Sequence, residues 1–271
     1  MKRKLPLLIL CLLFLAVAGY FGAHFFSSWK EYRDGGRAYE NLSQYVHTGT
    51  AVTVPEEKPA ENKPTAEKED ASENEYSALA EETENIDWPQ VDFEPLVELN
   101  SDVVGWIYME DSPINYPLVQ GKDNEQYVKK LADGSYNSAG SIFMDYRNEP
   151  GLSDRHTVIY GHRMNNGSMF GTIVNYKDQS YFNSHQRCML LTPNGNYIVE
   201  FFAGYVAELN DQAWKLEFGS DEEFTDWLEE AVARSTFISP VNPTAQDRII
   251  TLSTCTRDNG YTRYVLLGVL I

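Results

Sequence analysis

The strongest constraint on the fold of this chain is a series of eight short apolar runs that follow Trp88. Each run is rich in β-branched and aromatic residues and is bounded by turn residues, which is the pattern of a β-strand. The sequence Pro-Asn-Gly-Asn at 193–196 separates the fifth run from the sixth and predicts a hairpin, because Asn-Gly readily supplies positive φ angles. The runs occupy residues 103–108, 114–120, 141–146, 156–162, 188–192, 197–209, 248–254 and 264–270.

Helices are predicted between some of these strands. The clearest covers residues 221–235, where Ser220 and Glu223 form a capping box and apolar side chains recur on one helical face. Shorter helices are predicted at 93–99, 123–132 and 168–177. Eight short strands with a minority of helix favour a mainly β fold with accessory helices, built as a closed barrel or a sandwich.

The amino terminus carries a different signal. Residues 5–26 form an apolar run of 22 residues after the basic tip 1–4, which contains Lys2, Arg3 and Lys4. The run is long enough to span a bilayer, and the basic cluster predicts that the tip stays in the cytoplasm with the rest of the chain outside. A cleaved signal peptide ending at Ala-Val-Ala is the alternative, and the length of the run favours an uncleaved transmembrane anchor.

Residues 27–87 are predicted to be a juxtamembrane segment followed by an acidic tether. Gly35 and Gly36 are expected to interrupt any helix in the first part. Residues 55–87 contain twelve Asp or Glu and three Lys, which gives a net charge of −9, half of the −18 carried by the whole chain. A segment with so few apolar residues cannot bury enough surface to fold. The folded domain is therefore expected to cover residues 88–271.

The chain has three cysteines, and Cys255 is the candidate nucleophile among them. Cys11 lies in the apolar run, so the only possible bridge outside it joins Cys188 to Cys255. Cys255 ends a predicted strand, and the loop that follows it would return Arg263 to its side. A cation close to a thiol favours the nucleophilic thiolate. The alternative is that Cys255 is a small core residue and Arg263 is a surface charge.

A cysteine nucleophile normally needs a histidine, and His162 is the best placed of the candidates. It follows a predicted strand and begins a loop, a position at which site residues concentrate. His156 begins the same strand and should lie at the opposite end of the fold. His185 is expected on the surface and His47 in the juxtamembrane segment, so neither is favoured.

Other classes of function find no support in the sequence. A net charge of −18 argues against binding to nucleic acid, since contacts with phosphates need a basic surface. The sequence contains no Cys-x-x-Cys or His-x-x-x-His pair for a metal, and no phosphate-binding loop or dinucleotide fingerprint. We therefore expect neither a metal nor a cofactor.

Several separated motifs resemble those of class B sortases. "TLSTC", which ends at Cys255 and is followed eight residues later by Arg263, resembles the sortase active-site signature, and "IYGHRMNNGSMFG" at 159–171 resembles the histidine segment. The motifs "DVVGWI", "INYPLVQGKDNEQYV" and "GSIFMDYRN" also match class B and occur in the same order. The resemblance covers residues 88–271.

This resemblance implies a closed eight-stranded sortase-type β-barrel with N-terminal helices and a helix between strands six and seven, where 221–235 lies. It implies that Cys255 attacks a threonyl carbonyl, that His162 acts as acid and base, and that Arg263 stabilises the oxyanion or the substrate backbone. The barrel groove and the connection that carries the helix should hold the substrate. Four further residues are candidate substrate-binding residues, with strand packing as the alternative for the first two: Asn115, Ser253, Thr254 and Asp258.

The resemblance also implies the partners. The substrates would be surface proteins with a C-terminal sorting signal of the Pro-x-Thr type, the acceptor would be an amine of a peptidoglycan precursor, and the enzyme would sit in the cytoplasmic membrane with its catalytic domain outside. Three alternatives stay open: a pilin-polymerising sortase that uses a lysine acceptor, a cysteine protease that uses water, and a non-catalytic tethered binding domain. The sequence does not determine the pentapeptide, the acceptor, the oligomeric state or any redox role of Cys188.

Overall fold

The structure, a computed structural model, describes residues 4–47, 88–256 and 261–271. The chain divides into a large unit, formed by the residues up to Tyr45 and from Asp92 to Ile271, and a small unit over Val46–Val91. In the small unit, strand β1 (Val46–His47) pairs antiparallel with strand β2 (Gln90–Val91). The predicted acidic tether at 55–87 lies outside the described residues.

The large unit begins with helix α1 (Lys4–Leu42), which continues through Gly35 and Gly36. The prediction that these glycines interrupt the helix is therefore wrong. Glycine in a helix costs about 1 kcal/mol relative to alanine, but here it allows a close approach. A Cβ atom on Gly35 would lie 2.9 Å from Oδ1 of Asn137, so the missing side chain lets α1 lie directly against the barrel domain.

The carboxyl-terminal part of α1 packs against the barrel domain. The Tyr39 hydroxyl donates a hydrogen bond of 2.5 Å to the carbonyl of Gly140, and its ring meets the edge of Tyr116 at a centroid distance of 5.0 Å. The Asn137 amide donates to the carbonyl of Glu31 at 2.9 Å. The end of α1 is thus part of the folded domain.

The amino-terminal part of α1 is apolar and exposed, as at Phe14, Phe21 and Phe25. Among the described residues, one helix is long and apolar enough to cross a membrane, and a signal sequence at the amino terminus would have the same properties. This agrees with the apolar run predicted at 5–26.

Eight strands of the described residues close into a barrel: β3 (Val103–Tyr108), β4 (Asn115–Val119), β5 (Ile142–Met144), β6 (His156–Tyr160), β7 (Arg187–Thr192), β8 (Gly195–Glu208), β9 (Arg248–Cys255) and β10 (Thr262–Leu270). Their order around the barrel is β10-β8-β7-β3-β4-β5-β6-β9. Neighbouring strands are antiparallel except in the pairs β4–β5 and β6–β9, which are parallel. All eight predicted strands and the closed barrel are confirmed.

In the described part of the chain, three further α-helices accompany the barrel: α2 (Phe93–Leu99), α3 (Gln179–Ser184) and α4 (Asp221–Arg234). Helices α2 and α4 confirm two predictions, and Ser220 caps α4 by accepting a 3.1 Å bond from the Glu223 backbone. The helix predicted at 168–177 is reduced to a 3₁₀ turn over Ile173–Lys177.

The helix predicted at 123–132 is wrong, because this segment forms successive turns. The Asp123 carboxylate accepts hydrogen bonds from the backbone amides of Glu125 and Gln126, at 3.0 and 2.8 Å. Aspartate readily forms such local bonds, which compete with the helical pattern. The consequence is a loop that approaches the mouth of the barrel.

Helix α4 covers the outer face of the barrel. Its buried side chains, among them Phe224, Trp227 and Leu228, pack in one cluster with Ile249 of β9 and Val265 of β10. Burial of one such large apolar side chain contributes roughly 1.5–3 kcal/mol. This packing holds α4, and with it part of the connection between β8 and β9, against β9 and β10.

Candidate active site

Cys255 is the last residue of β9, and Arg263 lies directly opposite it on the neighbouring strand β10. Side chains at opposed positions of an antiparallel pair have Cβ atoms about 4.5–5.5 Å apart and point to the same face. Nη1 of Arg263 donates a 3.1 Å bond to the carbonyl of Thr262. The β9–β10 hairpin therefore brings the thiol and the guanidinium side by side.

His162 reaches the same place from the parallel strand β6. Tyr160, the last residue of β6, is in register with Ser253 of β9. His162 lies two positions after Tyr160, and Cys255 lies two positions after Ser253, so the two residues lie level with each other. The backbone amide of Gly161 donates to the carbonyl of Ser253 at 3.1 Å. Because the carboxyl ends of parallel strands meet at one end of a barrel, the histidine and the cysteine share that end.

The imidazole of His162 is fixed by a backbone carbonyl. Its Nε2 lies 2.7 Å from the carbonyl oxygen of Val128. A carbonyl oxygen can only accept a hydrogen bond, so Nε2 carries a proton and Nδ1 is the nitrogen that exchanges a proton during a reaction. Val128 thus selects the tautomer of the histidine.

These residues line one cavity with a volume of about 460 Å³. Five residues named from the sequence contribute to its wall: Cys255, His162, Arg263, Ser253 and Thr254. The Ser253 hydroxyl accepts a 3.1 Å bond from the indole of Trp214, and the Thr254 hydroxyl donates a 2.8 Å bond to the carbonyl of Gly161. Both residues thus line the cavity while their hydroxyl groups are hydrogen-bonded within the protein.

Not every candidate substrate-binding residue that the structure describes lines this cavity. Asn115 does not line it, and its Oδ1 accepts a 2.7 Å bond from the indole of Trp106. Strand packing thus accounts for the Asn115 side chain in this structure, and a contact between Asn115 and a bound peptide stays a prediction. Asp258 lies outside the described residues.

Several wall residues were missed by sequence reasoning. They come from the loop over residues 120–131 (the 120s loop), from β5 and the end of β6, and from the β8–β9 connection. They are Asn124, Glu125, Val128, Phe143, Tyr160, Gly161, Leu209 and Trp214. Asn124 and Val128 belong to the motif "INYPLVQGKDNEQYV", which had been assigned partly to a helix. The motif itself was the signal that could have placed them at the site.

Cys188, the rival thiol, is unsuited to nucleophilic chemistry. It lies on β7, is 1% exposed, and burial raises the pKa of its thiol. Cys188 and Cys255 are both free thiols, so the one possible bridge is not formed.

His156 lies at the opposite end of β6 and is fully buried. Its Nδ1 is 2.6 Å from the carbonyl of Lys215 and its Nε2 is 2.7 Å from the hydroxyl of Thr251. Burial lowers the pKa of His156 from 6.5 to about 4. His156 is therefore a neutral structural residue.

We expect the low pKa of His156 to make stability depend on pH. The unfolded chain takes up this proton near pH 6.5 and the folded chain only near pH 4, so the stabilisation is complete above pH 6.5 and falls as the pH falls. The free energy of unfolding should drop by about 2 kcal/mol between about pH 7.5 and pH 5. Urea titrations should show this drop in the wild type and in His185→Gln. In His156→Gln the drop should be smaller by that amount, and an unchanged drop would contradict the assignment.

A metal centre is not found in the part of the chain that the structure describes. No group of three or more His, Cys, Asp or Glu side chains there could hold an ion. Independently of that, the cavity at Cys255 is lined by a thiol, an imidazole and a guanidinium, a set of groups that is suited to acyl transfer.

Comparison with known proteins gives a consistent result. The sequence pattern that describes the sortase domain matches residues 107–271. Sortase B of Listeria monocytogenes is 38% identical over 178 residues, which cover 65% of this chain and 72% of that protein. Sortase B of Staphylococcus aureus is 36% identical over 163 residues, which cover 60% and 67%. The crystal structure of sortase B from B. anthracis matches with a TM-score of 0.68 at 30% identity, over 90% of this chain and 99% of that one.

Proposed function

This chain belongs to the sortase family, as a class B cysteine transpeptidase, and from that premise we propose that Cys255 is its nucleophile. The observation that carries the proposal is that Cys255, His162 and Arg263 line one cavity, with Arg263 directly opposite Cys255. Three elements separated in sequence supply these groups at one end of the barrel. A packing role for Cys255 does not account for this convergence.

The first half-reaction forms a thioester. The Cys255 thiolate attacks the carbonyl carbon of a threonine in the sorting motif, and the C–N bond of the following peptide group breaks. The leaving nitrogen takes a proton from Nδ1 of His162, while Nε2 keeps its bond to the Val128 carbonyl. The departing fragment leaves as a neutral amine, and the threonyl group stays on sulfur.

The second half-reaction restores an amide. An amine from a cell-wall precursor attacks the thioester carbon and gives its proton to the now neutral Nδ1 of His162. The carbon–sulfur bond breaks and the thiolate returns. One amide has replaced another without net oxidation or reduction, so the chemistry balances with protein groups alone.

Arg263 stabilises the negative charge that develops on the threonyl oxygen. Its guanidinium is always charged and presents several donors in a fixed plane, which suits an oxyanion beside the attacking sulfur. Its position opposite Cys255 supports this role.

The composition of the cavity wall supports a proposal for how the peptide binds. The wall includes Leu209 and Trp214 from the β8–β9 connection as well as Asn124 from the loop before β5. We propose that a Pro-x-Thr segment occupies this groove, with apolar contacts to the connection. Residues Ser253 and Thr254 would shape the groove at the threonine, next to the sulfur.

The family and helix α1 together support a proposal for the setting of the reaction. We propose that α1 anchors the enzyme in the cytoplasmic membrane with residues 1–4 inside and the catalytic domain outside. The substrates would then be surface proteins with a C-terminal sorting signal, and the acceptor would be a peptidoglycan precursor amine. Polymerisation of pilins through a lysine acceptor uses the same chemistry and differs only in the acceptor.

A product assay tests this function. The full-length chain in detergent is mixed with a panel of pentapeptides of the Asn/Ser-Pro-x-Thr-Asn/Gly type and hydroxylamine, and mass spectrometry searches for a threonyl hydroxamate. A hydroxamate identifies acyl transfer and the preferred motif together. Free threonine acid despite abundant hydroxylamine would indicate a hydrolase, and no product from any peptide would favour a non-catalytic binding domain.

A further inference from the structure

The motif "GSIFMDYRN" contains a buried carboxylate that the mechanism does not use. Asp145 follows β5, and its side chain is 0% exposed. It does not line the cavity of Cys255. A buried carboxylate is costly unless its oxygens are fully bonded, so its neighbours indicate what it is for.

Five donors converge on this carboxylate. Oδ1 accepts from Nε of Arg147 at 2.8 Å and from the Arg147 backbone amide at 3.1 Å. Oδ2 accepts from Nη2 of Arg147 at 2.8 Å, from the amide of Asn124 at 2.9 Å and from the hydroxyl of Tyr160 at 2.9 Å. Burial raises the pKa of the Asp145 carboxyl, but these bonds outweigh burial and hold the pKa below its usual value. The group is therefore an ionised acceptor that donors surround on both oxygens.

Two of the donors belong to the wall of the catalytic cavity. Asn124 and Tyr160 both line it, although they come from different elements, the 120s loop and the end of β6. The backbone amide of Tyr146 donates to Oδ1 of Asn124 at 3.0 Å, so both ends of the Asn124 amide are held. The ring of Tyr160 also packs against Phe143, another wall residue, at a centroid distance of 5.3 Å.

We infer that Asp145 is a positioning residue for substrate binding: it ties the 120s loop to the end of β6 and so fixes the cavity wall at Asn124 and Tyr160. This inference rests on the proposed function of the cavity. Asp145 touches neither the reacting atoms nor the peptide, and it acts through the two residues that it holds. Arg147 completes the charge balance from the solvent side, where its side chain is 48% exposed.

Asparagine is the informative replacement at this position. Asp145→Asn keeps the shape of the side chain but replaces one acceptor oxygen by an NH₂ donor. Either orientation of the amide then places this donor against other donors, because Oδ1 faces two and Oδ2 faces three. The variant therefore cannot keep the hydrogen bonds from Asn124 and Tyr160 together with both side-chain hydrogen bonds from Arg147.

The matched control is Asp154→Asn. The Asp154 carboxylate also accepts two bonds, from the Asn148 amide at 2.8 Å and from the Glu149 backbone at 2.7 Å. None of these residues lines the catalytic cavity. The control therefore removes a comparable carboxylate from the same barrel without touching the wall.

Two measurements on the full-length chain in detergent test the inference, at a temperature where circular dichroism shows all variants folded. In the hydroxamate assay, Asp145→Asn should raise the KM for the best peptide of the panel about tenfold or more, while kcat stays within about threefold of the wild type. This is expected because the displaced wall weakens binding of the peptide equally in the ground state and in the transition state. Hydrogen exchange followed by mass spectrometry should show about tenfold faster exchange in segment 120–131 and at Tyr146, without any substrate. Asp154→Asn should change neither quantity.

Wild-type KM together with wild-type exchange in Asp145→Asn would overturn the inference. So would a fall in kcat at constant KM, which would assign Asp145 to the chemical step, or the same two effects in Asp154→Asn, which would show a general loss of stability. If the wild type makes no hydroxamate, the proposed function fails, and the exchange measurement still decides whether Asp145 holds the wall.

Discussion

Replacing Cys255 with alanine is expected to abolish hydroxamate formation, with a fall in rate of at least about 10⁴-fold. Without sulfur no thioester forms, and neither His162 nor Arg263 can replace an attacking nucleophile. Cys255 is only partly buried, so the loss of one atom should hardly change the free energy of unfolding. The first measurement is the yield of threonyl hydroxamate against time. The second is the intact mass of the enzyme after incubation with the peptide in the absence of hydroxylamine. The wild type should gain the mass of the acyl group, and the variant should not.

Cys188→Ala is the matched control, because it removes the other free thiol of the domain. Cys188 is buried on β7, so this variant should lose roughly 1 kcal/mol of stability and keep its rate within about threefold. The two cysteines should therefore show opposite effects on rate and stability. Product formation by Cys255→Ala at the wild-type rate would remove Cys255 from the role of nucleophile.

Replacing Arg263 with lysine is expected to lower kcat/KM by about 10²–10³-fold. The substitution keeps the positive charge opposite Cys255 but loses the planar fork that can direct two donors at one oxyanion. The rate of acyl-enzyme formation in a single turnover is the direct measurement, since the oxyanion forms in that step. We expect Arg263→Lys to slow this step strongly. Peptide affinity, measured in chains that also carry Cys255→Ala, should change little.

Arg248→Lys provides the control on the same hairpin. Arg248 begins β9, pairs with Leu270 at the far end of β10 and donates a 3.0 Å bond to the carbonyl of Leu152. Its replacement should leave the rate within about threefold of the wild type, because it lies a strand's length from the sulfur. A near-normal rate in Arg263→Lys would mean that charge alone suffices at that position.

The barrel strands were predictable because their signals are local. Runs such as 103–108 and 248–254 combine β-branched residues with bounding turns, and the hairpin at 193–196 fixes the pairing of β7 with β8. The capping box at Ser220 likewise marks the start of α4 within a few residues. In these elements the local preference and the tertiary packing favour the same structure.

The errors lie where a distant partner decided the outcome. Gly35 looked like a helix breaker, but Asn137, about a hundred positions later, gives it a packing role inside α1. The 123–132 segment has helical periodicity, yet its polar side chains bond to local backbone and to the barrel.

The sequence by itself determined the strands and the helix α4, and it predicted that one hairpin returns Arg263 to Cys255 and that His162 is the histidine of the site. These features depend on neighbours within one or two elements, so composition and spacing carry them. Only the tertiary structure decided that β6 runs parallel to β9 and brings His162 level with Cys255. It also decided that the Val128 carbonyl sets the tautomer of His162 and that Asp145 joins Asn124 to Tyr160. The physical reason is barrel closure, which places side chains from remote strands and loops within hydrogen-bonding distance, and no local pattern in the chain encodes those distances.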